Sequence, residues 1–578
     1  MNAPDDLATG FAEHVATWAR NRGAAPGALA VLKVAAERVS FATAEGDVCI
    51  PLAAIAEDFE GRSLPELREA LLASGMAGAS QGKEVLPLVL DDANRLYLRR
   101  YFDYERRLAA NLMQRAAAPA PDVKALRARL DALFAANARR LGGKPDRQRI
   151  AVALAMRRRL AIISGAPGTG KTTTIAALLA CILEENPGSR IALAAPTGKA
   201  AARMLDALRE RAATLQPRIR DRLPAESHTL HRLLGVTPEP GRFRHDAENP
   251  LPLDALVVDE ASMLDLALAV RLAEALPPGA RLVLLGDKDQ LAAVEVGSVF
   301  AELSAKEPSP LAESVVWFTE SYRFAADSGI GRLAAHINAG EAERALEWMK
   351  RGGDGKVSWI EESGAEIGAA TRRCALEGYD AYIEALRDRL EDKAAVFRAF
   401  DRFRLLCAVR ESPRGVTALN RLLASHLRGS LEHALDPGAP SPWYPGRPVM
   451  VMKNDYVLRL YNGDIGICLP GEDGRLAVWF PDAKEGFRSL ACGRLPWHED
   501  AYATTVHKAQ GSQFDSVLLL LPQQASRTAV RELLYTAVTR PRERVTISAS
   551  GEAFRAACVR ATQRHTGLIE RMREAAAR

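Results

Sequence analysis

The fold is decided by one stretch of the chain, Ile162-Ile163-Ser164-Gly165-Ala166-Pro167-Gly168-Thr169-Gly170-Lys171-Thr172-Thr173. The apolar run 160–163 is typical of a buried strand, and the Ala- and Leu-rich segment 172–181 predicts a helix. A strand, a glycine-rich turn and a helix, with the spacing G-x-x-x-x-G-K-T, form a phosphate-binding P-loop. A chance glycine turn would lack the flanking strand and helix. The sequence therefore predicts a nucleoside triphosphate site.

Each residue type in this loop suits a phosphate. Glycine lets the backbone turn tightly enough to aim its N–H groups inward, and the helix start adds free donors and the positive end of its dipole. Lys171 has the reach to contact the β- and γ-phosphates, and the Thr172 hydroxyl is suited to Mg²⁺. We expect the nucleotide to be bound by Gly165, Ala166, Pro167, Gly168, Thr169, Gly170, Lys171, Thr172 and Thr173.

Length and composition place this site in a large globular protein. A chain of 578 residues exceeds what one core supports and predicts roughly three to five domains. The net charge of +5 permits an anionic partner without requiring one, and seven cysteines without a C-x-x-C pair indicate neither a disulfide framework nor a metal cluster. We expect a cytoplasmic protein with no membrane contact, because the sequence has neither a signal-peptide pattern nor an uncharged apolar run near the ~18 residues that span a bilayer.

Beyond the P-loop, strand and helix patterns alternate, which predicts a parallel sheet with crossover helices. Further buried strands are predicted at 191–195, 253–258 and 281–285. Polar residues follow each of them, at the sheet edge where open α/β folds bind ligands. Asp259 is suited to hold Mg²⁺, Glu260 to act as a general base toward water, and Gln290 to sense the γ-phosphate.

Two arginines are candidates for transition-state stabilisation. Arg323 lies in Thr319-Glu320-Ser321-Tyr322-Arg323-Phe324, and Arg540 ends Tyr535-Thr536-Ala537-Val538-Thr539-Arg540. Phosphoryl transfer spreads charge over the γ oxygens, and an inserted arginine accelerates it by roughly 10³ to 10⁵. Either arginine alone would be a solvated surface residue; together with the P-loop and the Asp-Glu pair they become candidates.

Taken in order, the motifs resemble the full series of a superfamily 1 helicase. They are GAPGTGKT, APTGKAA, SHTLHRLLG, VVDEAS, LLGDKDQL, ESYRF, AYATTVHKAQGSQFDSV and LLYTAVTRPRERV. The forms VHKAQGSQFD and YTAVTR are similar to the RecD branch, the alpha subunit of bacterial exodeoxyribonuclease V. The resemblance runs from Gln148 to Arg544 and is less specific before it.

The resemblance implies roles for individual residues. Lys171, Glu260, Gln290, Arg323 and Arg540 would be the catalytic set, with Thr172 and Asp259 on Mg²⁺ and Gln148 reading adenine. The two arginines would reach the nucleotide from a second motor domain. Thr197, His231, Thr505 and His507 fall in motifs that line the single-strand channel of such helicases. Hydroxyls and imidazoles suit that channel, because they bind phosphate without reading sequence.

The expected fold is α/β, with two RecA-like P-loop motor domains. Short alternating runs with Asn-Gly and Asp-Gly turns predict β-hairpins between Trp443 and Trp497, where related helicases carry an SH3-like barrel. The predicted divisions are a mostly helical, partner-binding domain at 1–115, a linker and helix at 116–145, the first motor domain at 146–318, the second at 319–440 and 499–578, and the SH3-like insertion at 441–498.

The resemblance implies an ATP-driven 5′→3′ DNA helicase and single-strand translocase. It would act on DNA ends in a heterotrimer with RecB-like and RecC-like subunits, in double-strand break repair and homologous recombination. A stand-alone RecD-like helicase is one alternative, and a P-loop ATPase switch without unwinding activity is another. A nuclease in its own right is a third, but the sequence has no Asp/Glu/Lys cluster apart from the ATP site. Exonuclease activity would belong to the assembled complex.

Overall fold

The structure is a computed structural model that describes residues 3–118, 126–237, 239, 241–305, 309–321, 328–352, 354–431, 441–455, 457–471, 473–482, 486–524 and 526–577. Four sheets organise these residues. In the described chain, no helix combines the length and the apolar character that crossing a membrane requires. The seven cysteines are free thiols.

The N-terminal domain combines helices with a small sheet. Its helices are α1 (Ala3–Asn21), α2 (Pro26–Ala44), α3 (Leu52–Ala56), α4 (Leu64–Ala73) and α5 (Arg99–Ala117). Its strands are β1 (Cys49–Pro51), β2 (Ala77–Ala79), β3 (Leu88–Leu90) and β4 (Arg95–Leu98), in the order β1-β4-β3-β2. Strand β4 passes directly into α5. The other strands have three residues each, too few for alternation to reveal them.

The first motor domain is a six-stranded, all-parallel sheet in the order β10-β5-β9-β8-β6-β7. The strands are β5 (Leu160–Gly165), β6 (Ile191–Ala195), β7 (His228–Thr229), β8 (Ala255–Val258), β9 (Arg281–Gly286) and β10 (Val315–Phe318). The helices are α6 (Leu126–Leu133), α7 (Ala135–Leu141), α8 (Arg147–Arg157), α9 (Lys171–Glu185), α10 (Gly198–Ala212), α11 (Pro217–Arg220), α12 (Leu230–Leu234), α13 (Leu266–Ala275) and α14 (Val299–Leu303). Strand β5 lies inside the sheet and is buried along its whole length, which fixes the start of the P-loop.

The second motor domain is a five-stranded, all-parallel sheet in the order β11-β20-β19-β12-β18. The strands are β11 (Val357–Glu361), β12 (Phe403–Cys407), β18 (Ala503–Thr505), β19 (Phe514–Leu520) and β20 (Pro541–Ala549). The helices are α15 (Gly329–Asn338), α16 (Ala342–Lys350), α17 (Ala369–Glu377), α18 (Asp380–Asp388), α19 (Lys393–Arg402), α20 (Val416–Leu431), α21 (Arg531–Val538) and α22 (Gly551–Val559).

A separate antiparallel sheet is inserted in the sequence of the second motor domain, between β12 and β18. Its strands are β13 (Pro448–Val451), β14 (Ile465–Pro470), β15 (Leu476–Asp482), β16 (Gly486–Ala491) and β17 (His498–Asp500), in the order β16-β15-β14-β13-β17. The hairpins expected here are therefore present. The recorded pairings among the described residues leave β16 and β17 as edges, so closure into an SH3-like barrel stays a prediction.

The chain ends on a helix that returns to the N-terminal domain. Helix α23 (Leu568–Ala576) packs along α5 of the N-terminal domain. The predicted divisions had included this helix in the second motor domain. Leu568 and Met572 are buried in the same core as Tyr97 and Phe102. The N-terminal domain, the first motor domain and the chain's end thus share one hydrophobic core.

Candidate nucleotide and DNA sites

The P-loop closes tightly between β5 and α9. Gly168 and Gly170 have φ of 80° and 86°, the left-handed region that glycine enters without a steric penalty. A Cβ on Gly165 would lie 2.7 Å from Thr169 Oγ1 and 2.7 Å from Phe318 Cβ, so a side chain there would force the loop open. Thr169 Oγ1 also donates to Ala166 O at 2.8 Å. The loop is held in shape by its own residues.

Lys171 is the cation at the centre of this loop. Its ammonium donates to Gly165 O at 2.5 Å and also contacts Ala166 O at 3.4 Å. Because Lys171 opens α9, its neighbours Thr172 and Thr173 lie in the first helical turn, where backbone N–H groups are free for a ligand. Ammonium, hydroxyls and helix dipole therefore converge at one point.

Gln148, on helix α8, is hydrogen-bonded to the P-loop backbone. Its Nε2 donates to Thr169 O at 3.1 Å, and its Oε1 accepts from Asn137 Nδ2 at 3.0 Å. Asp146 caps α8 by accepting from the backbone N–H of Gln148 at 3.0 Å, which fixes the start of the helix. Reading of adenine by Gln148 stays a prediction, and the amide would have to exchange one of these partners to do so.

An open cavity of about 170 Å³ lies beside the loop. It is lined by residues of the 141–148 segment, by Thr169, and by Phe318 to Glu320 at the end of β10. The cavity lies between the aromatic ring of Phe318 and the α8 N-terminus, next to the phosphate-binding turn. We expect the nucleotide's base to be bound here.

Asp259 and Glu260 follow strand β8. Burial and the adjacent Glu260 carboxylate raise the pKa of Asp259, while Lys171 and Arg203 oppose that shift. Glu260 has a φ of 52°, a left-handed conformation that is rare for a residue with a side chain. Such strain is typical of functional sites, where the surrounding fold holds an unfavourable conformation in place.

A third carboxylate, Asp287, lies at the end of β9. It is 2% exposed, and burial raises its pKa while Lys171 opposes the shift. Its Oδ2 accepts from Gln290 Nε2 at 3.0 Å. Among the described residues, Gln290 Oε1 is buried without a hydrogen-bond partner. A buried amide oxygen of this kind calls for a ligand or a water.

The second motor domain reaches this same segment. Tyr535 OH donates to Asp287 Oδ2 at 3.1 Å, and the backbone N–H of Leu291 donates to Thr536 Oγ1 at 2.9 Å. Gln510 Nε2 donates to Leu291 O at 2.8 Å. Helix α21 and the turn after β18 therefore hold the loop that follows β9 from the other side of the interdomain cleft.

Arg540 lies in the cleft, 2% exposed. Its Nε donates to Thr536 O at 3.0 Å, which aligns the side chain along the end of α21. Burial lowers the pKa of its guanidinium, and the Glu260 carboxylate is the largest influence in the opposite direction. The charge of Glu260 on the first motor domain therefore favours the charged form of Arg540 on the second. Arg323 lies outside the described residues.

The four residues predicted to contact DNA lie on both motor domains. Thr197 caps α10, accepting from the backbone N–H of Ala200 at 3.3 Å. A Cβ on Gly511 would lie 3.3 Å from Thr197 Oγ1, so the turn after β18 packs directly against this cap. Arg203 Nη1 ties the same turn to α10 by donating to Gly511 O at 2.9 Å. Thr197 therefore lies where the two domains meet.

The other three candidates lie on β18, on the 3-10 helix after it and on α12. Thr505 ends β18 and accepts from the backbone N–H of Lys508 at 3.3 Å. His507 opens the short 3-10 helix His507–Ala509, and burial lowers its pKa. His231 lies on α12 with its ring 5.9 Å from that of Phe243. A contact of each with DNA stays a prediction.

The residues present fit a magnesium–nucleotide complex. The Gly165 cradle leaves no room for a side chain, and the Lys171 ammonium favours the charged form of two nearby carboxylates, the partly exposed Asp259 and the buried Asp287. Hydroxyl and carboxylate oxygens are the donors that Mg²⁺ prefers. Among the described residues, Gln290 Oε1 has no hydrogen-bond partner, so this buried acceptor is available to a ligand.

Several residues of the site were not predicted. Asp287 lies inside the quoted LLGDKDQL motif, so an acidic residue directly after a buried strand was a usable signal. Tyr535 and Thr536 lie inside LLYTAVTR, but nothing in the sequence shows which side chains face the other domain. Gln510 and Arg203 act only through backbone carbonyls, a kind of contact that leaves no sequence pattern.

Both motor domains match known protein families. An AAA domain family matches residues 148–296, and a UvrD-like helicase C-terminal domain family matches residues 500–548. The RecBCD enzyme subunit RecD of Mycobacterium tuberculosis is 39% identical over 563 residues, covering 93% of this chain and 91% of its own. The ATP-dependent RecD2 DNA helicase of Deinococcus radiodurans is 34% identical, covering 72% of this chain and 50% of its own. Among solved structures, a Bacteroides Pif1 bound to single-stranded DNA aligns over 72% of this chain and 94% of its own, with a TM-score of 0.37 and 17% identity.

Proposed function

The chain belongs to the RecD family of ATP-dependent DNA helicases, and on that premise we propose that it translocates 5′→3′ on single-stranded DNA as the RecD-type subunit of a RecBCD-like helicase–nuclease. In that role it would process DNA ends during double-strand break repair and homologous recombination. The match to the RecD subunit of M. tuberculosis covers more of this chain, at higher identity, than the match to RecD2, which favours a subunit over a stand-alone helicase.

One observation carries the motor function. Asp287, which feels the charge of the P-loop lysine, and Leu291, four residues on, are hydrogen-bonded to Tyr535, Thr536 and Gln510 of the second motor domain. A nucleotide switch requires a P-loop, but it does not require a second domain in contact with the nucleotide site. Contacts between the two domains at the nucleotide site are what a motor requires, because closure of the cleft must follow the state of the nucleotide.

The first domain would bind ATP. The backbone N–H groups of Gly168 to Thr173 and the Lys171 ammonium would hold the phosphates, and the 170 Å³ cavity beside Gln148 would take the base. Thr172 and Asp259 would hold Mg²⁺, which neutralises charge on the phosphate oxygens when it is bound. Lys171 would exchange its present carbonyl partners for phosphate oxygens.

Hydrolysis would use Glu260 and the arginines. Glu260, aimed by its left-handed backbone, would accept a proton from the attacking water. Arg540 enters from the second domain and would stabilise the charge that develops on the γ-phosphoryl oxygens, with Arg323 as its proposed companion. Because Arg540 is anchored to α21, its placement would depend on closure of the cleft.

Movement along DNA would follow from that closure. Gln290, bonded to Asp287, would report the state of the γ-phosphate to α21. Thr197 on the first domain, and Thr505 and His507 on the second, would hold DNA phosphates on either side of the cleft. Alternate grip by the two domains would turn opening and closing into directed stepping.

Two measurements on the purified full chain test this proposal. ATP hydrolysis should be stimulated by single-stranded DNA, and gel filtration should show the chain in a larger complex when RecB- and RecC-type subunits are added. Hydrolysis that ignores single-stranded DNA would favour a nucleotide switch. Stimulated hydrolysis without any complex formation would favour a stand-alone helicase.

A further inference from the structure

The chain beyond the second motor domain crosses back over the first. After α22 ends at Val559, the segment 560–567, here called the tail, runs to α23 on the N-terminal domain. The backbone N–H of His565 donates to Asp47 Oδ1 at 2.6 Å, and that of Val48 donates to His565 O at 2.9 Å. Thr566 Oγ1 donates to Glu105 Oε1 at 2.7 Å. The tail is therefore covalently continuous with the second motor domain, and hydrogen bonds hold its far end on the N-terminal domain.

Arg564, in the middle of this tail, binds a single loop of the first motor domain. Its Nη1 donates to Glu295 O at 2.8 Å and to Gly297 O at 2.6 Å, and its Nη2 donates to Ala293 O at 2.7 Å. A contact of 3.5 Å to Val294 O is longer. One guanidinium thus serves most of the backbone carbonyls of residues 293–297.

The loop 293–297 is also held from the N-terminal domain and from α13. The backbone N–H of Gly297 donates to Gly46 O at 3.0 Å, and that of Leu266 donates to Val296 O at 3.0 Å. A Cβ on Gly46, whose φ is +101°, would lie 2.9 Å from Arg564 Cζ. The guanidinium therefore fills a space that is shaped for it, and an ammonium could not span the same carbonyls.

This loop begins three residues after Gln290, and the same stretch of chain carries Leu291, which is bonded to Thr536 and Gln510. On its other side, the charge of Arg564 contributes to lowering the pKa of His507, which places the guanidinium within electrostatic reach of a predicted DNA contact. Arg564 therefore holds the loop directly after the proposed nucleotide-sensing segment, and its charge acts on His507, a predicted DNA contact.

We propose that Arg564 is a positioning residue for energy coupling: by fixing the loop 293–297, it holds the Gln290 segment in register with the second motor domain when DNA is bound. The inference rests on the proposed function, because it assumes that Gln290 links hydrolysis to the DNA track. Arg564 touches neither nucleotide nor reacting atoms in this scheme. Its role is to hold the loop in place when a movement of α21 displaces Leu291 and Asp287.

The consequence is specific to DNA-stimulated turnover. Loss of the guanidinium would leave the P-loop, Lys171 and Glu260 untouched, so binding of ATP and hydrolysis without DNA would continue. With single-stranded DNA bound, the loop would no longer be held by the tail and would shift when α21 moves, so Gln290 would lose its register with the second domain. A purely structural role would instead lower stability and affect both conditions alike.

The test compares Arg564→Lys and Arg564→Ala with Arg560→Ala in the full chain. Arg560 is an exposed tail arginine whose Nη1 donates to Ser526 O within the second domain, so its variant controls for a lost tail arginine. Gln290→Ala serves as the reference for a broken coupling segment. ATP turnover is measured with and without an oligothymidylate strand, as kcat and KM separately, alongside the thermal midpoint.

Arg564→Lys should keep KM for ATP and DNA-free turnover near wild type, and its DNA-stimulated kcat should fall about tenfold, like that of Gln290→Ala. Arg560→Ala should match wild type throughout. DNA stimulation preserved in both Arg564 variants, with Gln290→Ala impaired, would overturn the role of Arg564 and leave the proposed function standing. A wild-type chain that DNA fails to stimulate would overturn both.

Discussion

The hydroxyl of Tyr535 donates a 3.1 Å hydrogen bond to Asp287 Oδ2, joining a helix of the second motor domain to a carboxylate beside the P-loop lysine of the first. The same Oδ2 accepts from Gln290 Nε2 at 3.0 Å. Burial raises the pKa of Asp287 and also that of Tyr535, so both groups lie in an environment that disfavours unpaired charge. One buried oxygen thus links Gln290, the proposed γ-phosphate sensor, to the second motor domain.

Tyr535→Phe removes only this hydroxyl. We expect DNA-stimulated kcat to fall by roughly three- to tenfold, the equivalent of one buried hydrogen bond, with little change in KM for ATP. Tyr444→Phe is the matched control, because Tyr444 OH is bonded to Tyr502 OH at 3.0 Å far from the nucleotide site. Equal losses in the two variants would mean that the effect is one of stability rather than coupling.

Lys171→Gln removes the only side-chain cation of the P-loop and keeps a polar side chain of similar length. ATP hydrolysis and unwinding should both be abolished while circular dichroism and the thermal midpoint stay near those of wild type. The measurement is steady-state turnover with saturating single-stranded DNA. Turnover near the wild-type rate would remove the P-loop from the mechanism.

Arg540→Ala should act on the chemical step. Because the guanidinium is proposed to stabilise charge that develops only during transfer, kcat should fall by about 10³ while ATP affinity changes little. Arg542→Ala is the control: that side chain is exposed and lies 3.7 Å from Asp515. A change in KM with kcat preserved would exclude Arg540 from the catalytic role.

Glu105 predicts a pH dependence of stability. Burial raises its pKa to about 7, against hydrogen bonds from Gly567 and Thr566 that favour the anion. A raised carboxyl pKa means that the folded state prefers the proton, so this contribution is complete below the ordinary value of 4.5 and is lost as the pH rises through 7.

The free energy of unfolding should therefore fall by up to about 3 kcal/mol on this account between about pH 5 and about pH 8, and Glu105→Gln should lack that fall. Urea denaturation at a series of pH values measures it. Parallel pH profiles in wild type and variant would show that Glu105 does not carry the dependence.

The sequence predicted the parts of the site that lie within single motifs. The P-loop with Lys171 follows buried strand β5, and Asp259 and Glu260 follow buried strand β8. A parallel sheet brings the carboxyl ends of its strands to one edge. The antiparallel strands of the insertion were likewise visible from their turns. Both predictions rest on local patterns of hydrophobicity and glycine.

Contacts between distant segments could not be predicted in this way. Tyr535 reaches Asp287 across 248 positions, and Arg564 reaches Ala293 across 271, through a hydroxyl and through backbone carbonyls that any sequence would offer. The return of α23 to α5 depends on apolar residues typical of any amphipathic helix. Only the packed structure shows which surfaces meet.

Strand displacement from duplexes with a 5′ or a 3′ single-stranded tail shows whether closure of the two motor domains drives the chain 5′→3′ along DNA, as we propose. With ATP, the full chain, alone or assembled with its partner subunits, should displace the strand from the 5′-tailed duplex and leave the 3′-tailed one intact, and Lys171→Gln should displace neither. Displacement from the 3′-tailed duplex alone, or ATP hydrolysis stimulated by DNA without displacement from either duplex, would contradict the account.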